Sequence, residues 1–315
     1  DTYIPTEKGL VQIKDISKNG GETISLGILS KDKIVNQATK WFDSGQRPTI
    51  KITTKRGYSI RGSHNHPILV WTRNPLTLEP SFTWKLLSQM TIGDVAVLDR
   101  SQNILWPKEN LSLESFIPEL KNKRTEVKVL PRVLDEDLAT ILGAFLAEAN
   151  IAPKKIEFCN SDKVWVDDIE EKWKKVFPDC RLHRFEKQPS SYGKKIYYRL
   201  EVHSLHVIAF LTACGLEPLL SKDKIIPHVI YRSPKQIVAS FLKAYFEGDG
   251  SISFSRKMIE LRAISKSERL LSEIQILLLR FGIASSSYFD KYRQINKLYV
   301  RSLKDYLLFK ESIVF

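Results

Sequence analysis

Up to residue 130, apolar positions fall in short runs with little helical period. LVQIKDI, ISLGIL, PTIKITTKRGYSIRG, HPILVW and VAVLDR are rich in β-branched residues, and KNGG, SGQRP and RNPLTLEP punctuate them. Such runs between Gly, Pro, Asn and Ser clusters predict strands and turns. Two stretches, QATKWFDSG and TWKLLSQM, could each supply a short helical turn. Residues 1–130 therefore read as a compact all-β unit. Its last part, PKENLSLESFIPELKNKRTEVKVLPRV, is a polar, charged lead into a different pattern.

From Asp135 the spacing becomes helical. Leu138, Ile141, Leu142, Phe145 and Leu146 recur on one face, and Asp135 is placed to cap the helix. About a hundred residues later, Ser233-Pro234 opens KQIVASFLKAYFEGDGS, with Gly248 and Gly250 at the exit. Each helix is followed by the same succession of strand, amphipathic helix, charged hairpin and short helix. An αββαββα unit is thus predicted twice, over 131–232 and 233–315, with a pseudo-twofold axis. The predicted class is α+β.

A chain of 315 residues has room for two or three such units. Lys and Arg outnumber Asp and Glu by 49 to 36, a net charge of +13 that no single tail accounts for. A distributed excess of this kind favours a polyanionic partner, nucleic acid above all. No apolar run approaches the roughly 18 residues of a membrane span, and no basic-then-apolar leader opens the chain, so an intracellular protein is expected. The three cysteines, Cys159, Cys180 and Cys214, form no C-x-x-C pair and read as reduced core residues.

Both repeat-opening helices end in an acid followed by a small residue, Glu148-Ala149 and Asp249-Gly250. Gly143, Ala144, Ala147 and Ala149 on one helix, with Ala244 and Gly248 on the other, would let the two pack closely. The acids would then emerge side by side. Paired carboxylates bind hard divalent cations through oxygen, and such a site can organise water against a phosphodiester. The alternative is two acids that merely solvate helix ends. Two of them in register within a duplication favours the functional reading.

LGAFLAEAN and LKAYFEGDG resemble the two signature helices of the single-chain LAGLIDADG homing endonucleases, and the resemblance covers residues from about 131 to the end. It implies Mg²⁺-dependent hydrolysis of both strands of a long double-stranded DNA site by a monomer, with Glu148 and Asp249 as metal-binding catalytic acids. Ala149 stands where the family usually has Gly. The family also carries a basic residue near each centre. GLEPLLSKDKIIP resembles that segment, Lys224 matches best and Lys222 stays open; the second counterpart would fall just past Phe315. The resemblance further implies DNA reading by the two sheets. The candidates are Arg181, Arg184, Lys187, Lys194, Lys195, Tyr197 and Arg199 in the first repeat. In the second they are Arg256, Lys257, Arg262, Lys291, Arg293 and Lys297.

The β-rich region resembles the Hint domain of inteins. DTYIPTEKGLVQIKDI is similar to an opening intein block, and GSHNHPILVW to the block with a T-x-x-H-P histidine, here Ser63, His66 and Pro67. WKLLSQMTIGDVAVLDR matches the strands that follow. No nucleophile precedes Asp1 and no His-Asn pair closes the chain, so splicing is not expected, and Ser63 and His66 are expected to be splicing relics, with His66 structural. Lys51, Lys55, Arg56 and Arg61 could extend a DNA footprint. The expectation is an intein-type homing endonuclease. The alternatives are a DNA-binding regulator or RNA maturase on the same fold, or a self-splicing protein with trimmed ends.

Overall fold

A computed structural model describes residues 2–17, 22–30, 34–43, 45–74, 76–100, 105–119, 125–189, 195–255 and 258–314. The protein is a mixed α and β structure. Among the described residues, nine short strands precede the first long helix. β1 (Tyr3–Thr6), β2 (Gly9–Gln12), β3 (Thr23–Leu29) and β4 (Val35–Lys40) form an antiparallel sheet in the order β2-β1-β3-β4. β5 (Thr49–Thr53) and β6 (Ser59–Ser63) pair as a two-stranded ribbon. β7 (Pro67–Arg73), β8 (Pro80–Leu86) and β9 (Val95–Ala96) form a third sheet, ordered β8-β7-β9. Among the described residues of QATKWFDSG no helical turn forms, because Val35–Lys40 pairs along β3 and the ladder overrides local propensity. TWKLLSQM lies mostly in β8, and only Leu87–Gln89 winds a single 3₁₀ turn.

Among the described residues of the first hundred, the buried apolar side chains are Leu10, Leu26, Val70 and Leu87. These three thin sheets therefore lack the shared core expected of a compact β unit, and they lean on the remainder of the chain. Leu10 joins the main core, and Tyr3 stacks on Tyr231 with ring centroids 4.6 Å apart. The polar stretch after them is also packed rather than free. Leu113 and Leu134 are fully buried, and Leu113 N–H donates to the Arg132 carbonyl at 2.7 Å.

The main core belongs to two successions of elements. The first runs α1 (Glu136–Glu148), β10 (Ala149–Ala152), β11 (Lys155–Asn160), α2 (Lys163–Val176), β12 (His183–Lys187), β13 (Tyr197–Val202) and α3 (Leu205–Ala213). A short α4 (His228–Tyr231) leads into the second. That comprises α5 (Lys235–Asp249), β14 (Gly250–Ser255), β15 (Met258–Ser265), α6 (Glu268–Arg280), β16 (Ser286–Asp290), β17 (Ile295–Val300) and α7 (Leu303–Phe309). Each sheet is antiparallel with its third strand outermost, in the orders β10-β11-β13-β12 and β14-β15-β17-β16. Polar caps start the helices as the sequence indicates. The Asp135 carboxylate accepts from Leu138 N–H at 2.8 Å, and Asp162, Ser204, Ser267 and Ser302 cap α2, α3, α6 and α7 in the same way.

α1 and α5 pack directly against each other. Gly143 makes this possible: a Cβ there would stand 2.3 Å from the Phe241 carbonyl oxygen. Among the described residues no helix is long and apolar enough to cross a membrane. The three cysteines are free thiols, with Cys180 and Cys214 buried and Cys159 half-buried.

Candidate active site at the helix crossing

Both crossing helices run into strands without a turn. Ala149 (φ −92°, ψ 145°) and Gly250 (φ −90°, ψ 160°) are both extended, so the alanine at 149 meets no conformational penalty that glycine would avoid. Each acid is therefore the last helical residue at the mouth of the crossing. A Cβ on Gly248 would lie 2.7 Å from the Ala147 Cβ and 2.9 Å from the Glu148 Cγ. The Glu148 stem thus rests against the residue before Asp249, and the two carboxylates share one space.

Lys224 closes that space. Its Nζ donates to the Leu146 carbonyl at 2.6 Å, with the Ala147 carbonyl at 3.4 Å. These belong to the last turn of α1, where carbonyls lack helical partners and the helix dipole favours a cation. The lysine's backbone is held from the second succession of elements. Its carbonyl accepts from Ser267 Oγ at 2.7 Å, and Ile226 N–H donates to Glu273 Oε2 at 3.0 Å. Lys222, the open alternative, is exposed. Beside Glu148 opens a cleft of about 300 Å³, whose lining includes Asn150, Gly215, Glu217, Ser221 and Lys224.

The electrostatics follow from this crowding. Burial pushes the Asp249 carboxyl up to about 7; the Lys224 charge and the Tyr245 hydroxyl pull it down, while Glu148 adds to the rise. Burial also raises Glu148, against Lys224 and a hydrogen bond from Asn160 Nδ2 at 3.3 Å. The lysine is lowered by burial and held up by Asp249 and Glu148. Two partly desolvated carboxylates thus face one partly desolvated ammonium.

Among the described residues no group of three His, Cys, Asp or Glu forms a metal cage. A Mg²⁺-type ion does not need one: it commonly takes one or two carboxylates and completes its shell with water and substrate phosphate. Glu148 and Asp249, two carboxyls whose charged forms burial disfavours until a cation is bound, fit that requirement. Sequence reasoning missed Asn160 and Tyr245. Tyr245 lies one helical turn before Asp249, a spacing visible in KAYFEGD; Asn160 carries no signal beyond its place at the end of β11.

The sheets divide the DNA-reading candidates. In the first, Lys187, Tyr197 and Arg199 lie on the face away from the helices. Arg199 there stacks 5.1 Å over Phe185 and pairs with Glu157 and Glu201, acids directly opposite one another that the basic pattern had hidden. Arg184 is corrected: its parity turns it to the helix side, where Nη1 sits 2.7 Å from both Asp167 and Glu170 of α2. Arg181 and Lys195 are exposed beside the hairpin, and Lys194 lies outside the described residues. In the second sheet, the row Ser251, Arg262, Tyr299 and Ser286 crosses the open face, with Arg262 Nε donating to Ser251 Oγ at 2.7 Å. Lys297 is on the same face but paired with Asp290 at 2.7 Å and mostly covered. Lys291 and Arg293 are exposed in the β16–β17 turn, whereas Arg256 and Lys257 lie outside the described residues.

His66 also departs from expectation. It is exposed between β6 and β7, so it is not a packed structural histidine; its backbone bridges Ser63 and Leu87, and the base of its side chain lies over Gly62. Ser63 Oγ donates to Asn65 Oδ1 at 2.7 Å.

Residues 236–314 match the LAGLIDADG-like domain. That span holds all of α5 but its first residue, with Asp249 and the second sheet. Among known proteins, the chain is 27% identical over 283 residues to the A-type chain of DNA gyrase from Mycolicibacterium flavescens, covering 88% of this chain and 46% of that protein. It is 28% identical over 249 residues to the Rpo1C component of DNA-directed RNA polymerase from Methanocaldococcus jannaschii, covering 75% and 27%. The chain thus spans less than half of either relative. Among solved structures, I-DmoI in complex with DNA and Mn aligns with a TM-score of 0.42 at 13% identity, covering 57% of this chain and 96% of that one.

Proposed function

We propose that the chain is a divalent-metal-dependent DNA endonuclease of the homing type, with one centre formed where α1 and α5 cross. The observation that carries this reading is the placement of Lys224, whose ammonium is tied to the Leu146 and Ala147 carbonyls in the last turn of α1, beside Glu148 at the mouth of the crossing that Asp249 shares. Glu148 and Asp249 would hold the cation, which when bound supplies charge neutralisation at the scissile phosphate and activation of water. Lys224 offers a proton-bearing group to charge that develops on phosphate oxygens. Asn160 orients the Glu148 carboxylate, and the buried Tyr245 hydroxyl sits behind Asp249. The two open sheet faces then carry duplex DNA, with Arg262, Lys187, Tyr197 and Arg199 placed to meet it and the +13 net charge supplying affinity.

The reading includes an αββαββα duplication over 131–232 and 233–315 acting as a monomer, and an N-terminal region of Hint type, so that the whole is of intein origin and acts inside the cell. Support for that origin comes from its relatives: one segment aligns with parts of a DNA gyrase and of an RNA polymerase, proteins of unrelated chemistry. A mobile insertion explains such a distribution, and a shared activity of the hosts does not.

Selection on a randomised plasmid library tests the proposal, with Mg²⁺ to score cleavage and Ca²⁺ to score binding alone. Cutting of both strands at one long site is expected. Glu148→Gln or Asp249→Asn should lose at least about 10²-fold in cutting rate while retaining Ca²⁺-supported binding, the size of effect seen when a developing charge loses its stabiliser. Undiminished cutting by either variant removes the assignment.

A further inference from the structure

The β5–β6 ribbon has an unusual pair of faces. Its register sets Thr49 against Ser63, Lys51 against Arg61 and Thr53 against Ser59 on one side, and Ile50, Ile52, Ile60 and Gly62 on the other. The first side bears only hydroxyls and cations, and all of it except the half-buried Ser63 is exposed. Lys51 and Arg61 stand directly opposite each other. Like charges at such a cross-strand position oppose pairing, and among the described residues neither forms an ion pair that would relieve it.

The ribbon is nevertheless fixed in place. Its tip turns at Gly57 (φ +88°), where a Cβ would lie 2.9 Å from the Ser287 Cβ. The Arg56 carbonyl accepts from Ser287 N–H at 2.9 Å and from Gln275 Nε2 at 3.0 Å, and Ser285 N–H donates to the Tyr58 hydroxyl oxygen at 3.1 Å. These partners lie on α6 and at the start of β16, the outermost strand of the second sheet. Ser286, between two of them, belongs to the row that carries Arg262 across the open face. Lys55 and Arg56 are exposed at this junction.

We propose that the polar face of the β5–β6 ribbon is a further duplex-DNA contact, which prolongs the open face of the second sheet onto the flank of the target and lays Lys51 and Arg61 along one groove. The inference rests on the endonuclease reading above and names a surface that this reading does not need. Charge complementarity selects the partner: a strip of cations and hydroxyls without a carboxylate suits phosphate and base edges together. Shape agrees, since the major groove, about 12 Å wide, admits a two-stranded ribbon. The repulsion between Lys51 and Arg61 is then relieved only when the polyanion is bound.

The test uses duplexes recovered by binding selection from a randomised library in Ca²⁺ buffer. They are resynthesised either as the minimal selected core or with about ten further base pairs, one helical turn, on each flank. The wild-type chain should bind the longer duplex at least ten-fold tighter. The Lys51→Gln/Arg61→Gln variant should lose that gain while changing affinity for the core less than two-fold, with an unaltered melting temperature. Its salt slope on the long duplex should fall by about 2, one for each phosphate contact removed. A wild-type chain that gains nothing from the flanks, or a double variant that keeps the gain, overturns this proposal and leaves the endonuclease reading standing. Recovery of no duplex by the wild-type chain overturns both, and tighter binding of single strands overturns the duplex assignment.

Discussion

Replacing Gly143 by Ala tests the link between the helix crossing and the chemistry at its mouth. In an isolated helix this change stabilises, by up to about 1 kcal/mol, because alanine restricts the unfolded chain and shields the backbone. At this crossing the added Cβ would sit 2.3 Å from the Phe241 carbonyl oxygen and 3.1 Å from the Ala244 Cβ. The first contact is with backbone, so no rotamer change can relieve it. To reach an ordinary contact of 3.4 Å, the helices must part by about 1.1 Å along that line. Overpacking of this kind costs roughly 1–3 kcal/mol, which leaves a net loss of up to about 2 kcal/mol after the propensity gain. At some 2–4 °C per kcal/mol for a domain of this size, the melting temperature should fall by up to roughly 8 °C.

The functional loss should be larger than the loss of stability. Glu148 and Asp249 lie five and eight residues beyond the two contact points, Gly143 and Phe241, on helices that carry them as rigid extensions. A displacement near 1 Å in a catalytic constellation costs on the order of 10²-fold in rate. A calorimetric scan through the transition, and single-turnover cleavage of the selected site at 25 °C, below it, would measure the two effects separately. Adding Ala244→Gly removes only the 3.1 Å contact, so it should rescue neither. A Gly143→Ala chain that melts higher than wild type and cuts at the wild-type rate would show that the crossing yields freely and would refute the reasoning.

Other perturbations separate the remaining parts of the site. Lys224→Met should strand the Leu146 carbonyl and leave two acids without their shared cation; about 1–3 kcal/mol of stability should go with it, and cutting should drop at least about 10²-fold, both read against Lys224→Arg. The two acids are unequal, since Asn160 donates only to Glu148 while Asp249 is the more strongly raised. The strands of a supercoiled plasmid should therefore be cut at different rates, so an open-circle intermediate should accumulate before the linear form, and its absence would count against unequal roles for the two acids. Arg184→Ala should destabilise the fold by breaking its ties to Asp167 and Glu170, while changing DNA affinity less than two-fold by anisotropy.

Much of the α/β part is legible because its signals are local and redundant. Asp135, Ser204 and Ser267 cap the helices they precede, and the apolar spacing of LATILGAFL and IVASFLKAYF predicts two helices, both of which the structure buries. The terminal acids stand out because each is set beside small residues. What local pattern does not give is register and parity. Arg184 and Arg199 look alike in the sequence, yet Arg184 pairs with Leu200 on the helix side and Arg199 with Phe185 on the open side. The direction in which a strand presents its odd and even residues is fixed by which of them find the core, and RLHRFEK holds too few apolar residues to decide it. Glu157 and Glu201 were invisible for a related reason: they lie 44 positions apart and become neighbours only through the β11–β13 pairing. The β-rich region misleads in the opposite sense. Its alternation is real, but alternate residues there cover a neighbour instead of filling a core of their own.

That difference explains how the parts are joined. A region with four buried apolar side chains in its described first hundred residues cannot be located by hydrophobic packing alone, and specific polar contacts do the locating. Arg100 donates to the Gly282 carbonyl and pairs with Asp305, while Arg280 donates to the Leu105 carbonyl at 2.7 Å and lies 3.6 Å over the Trp106 ring. With the ribbon tip on Ser285 and Ser287, these contacts gather at the α6–β16 corner of the second unit. The chain then runs back toward the first. Trp106 packs on Phe281, Phe116 meets His228 beside α4, and Lys128 N–H donates to His206 Nδ1 of α3 at 2.9 Å. The described residues between 105 and 134 thus form a strap from the second unit, past the joint, to the first. The two units therefore differ in what surrounds them even where their strand orders agree. The second carries the ribbon and holds the backbone of Lys224 through Ser267, whereas the first receives the ammonium of that lysine at the end of α1. Two units of like strand order in this way build a site with one cation and two unequal acids.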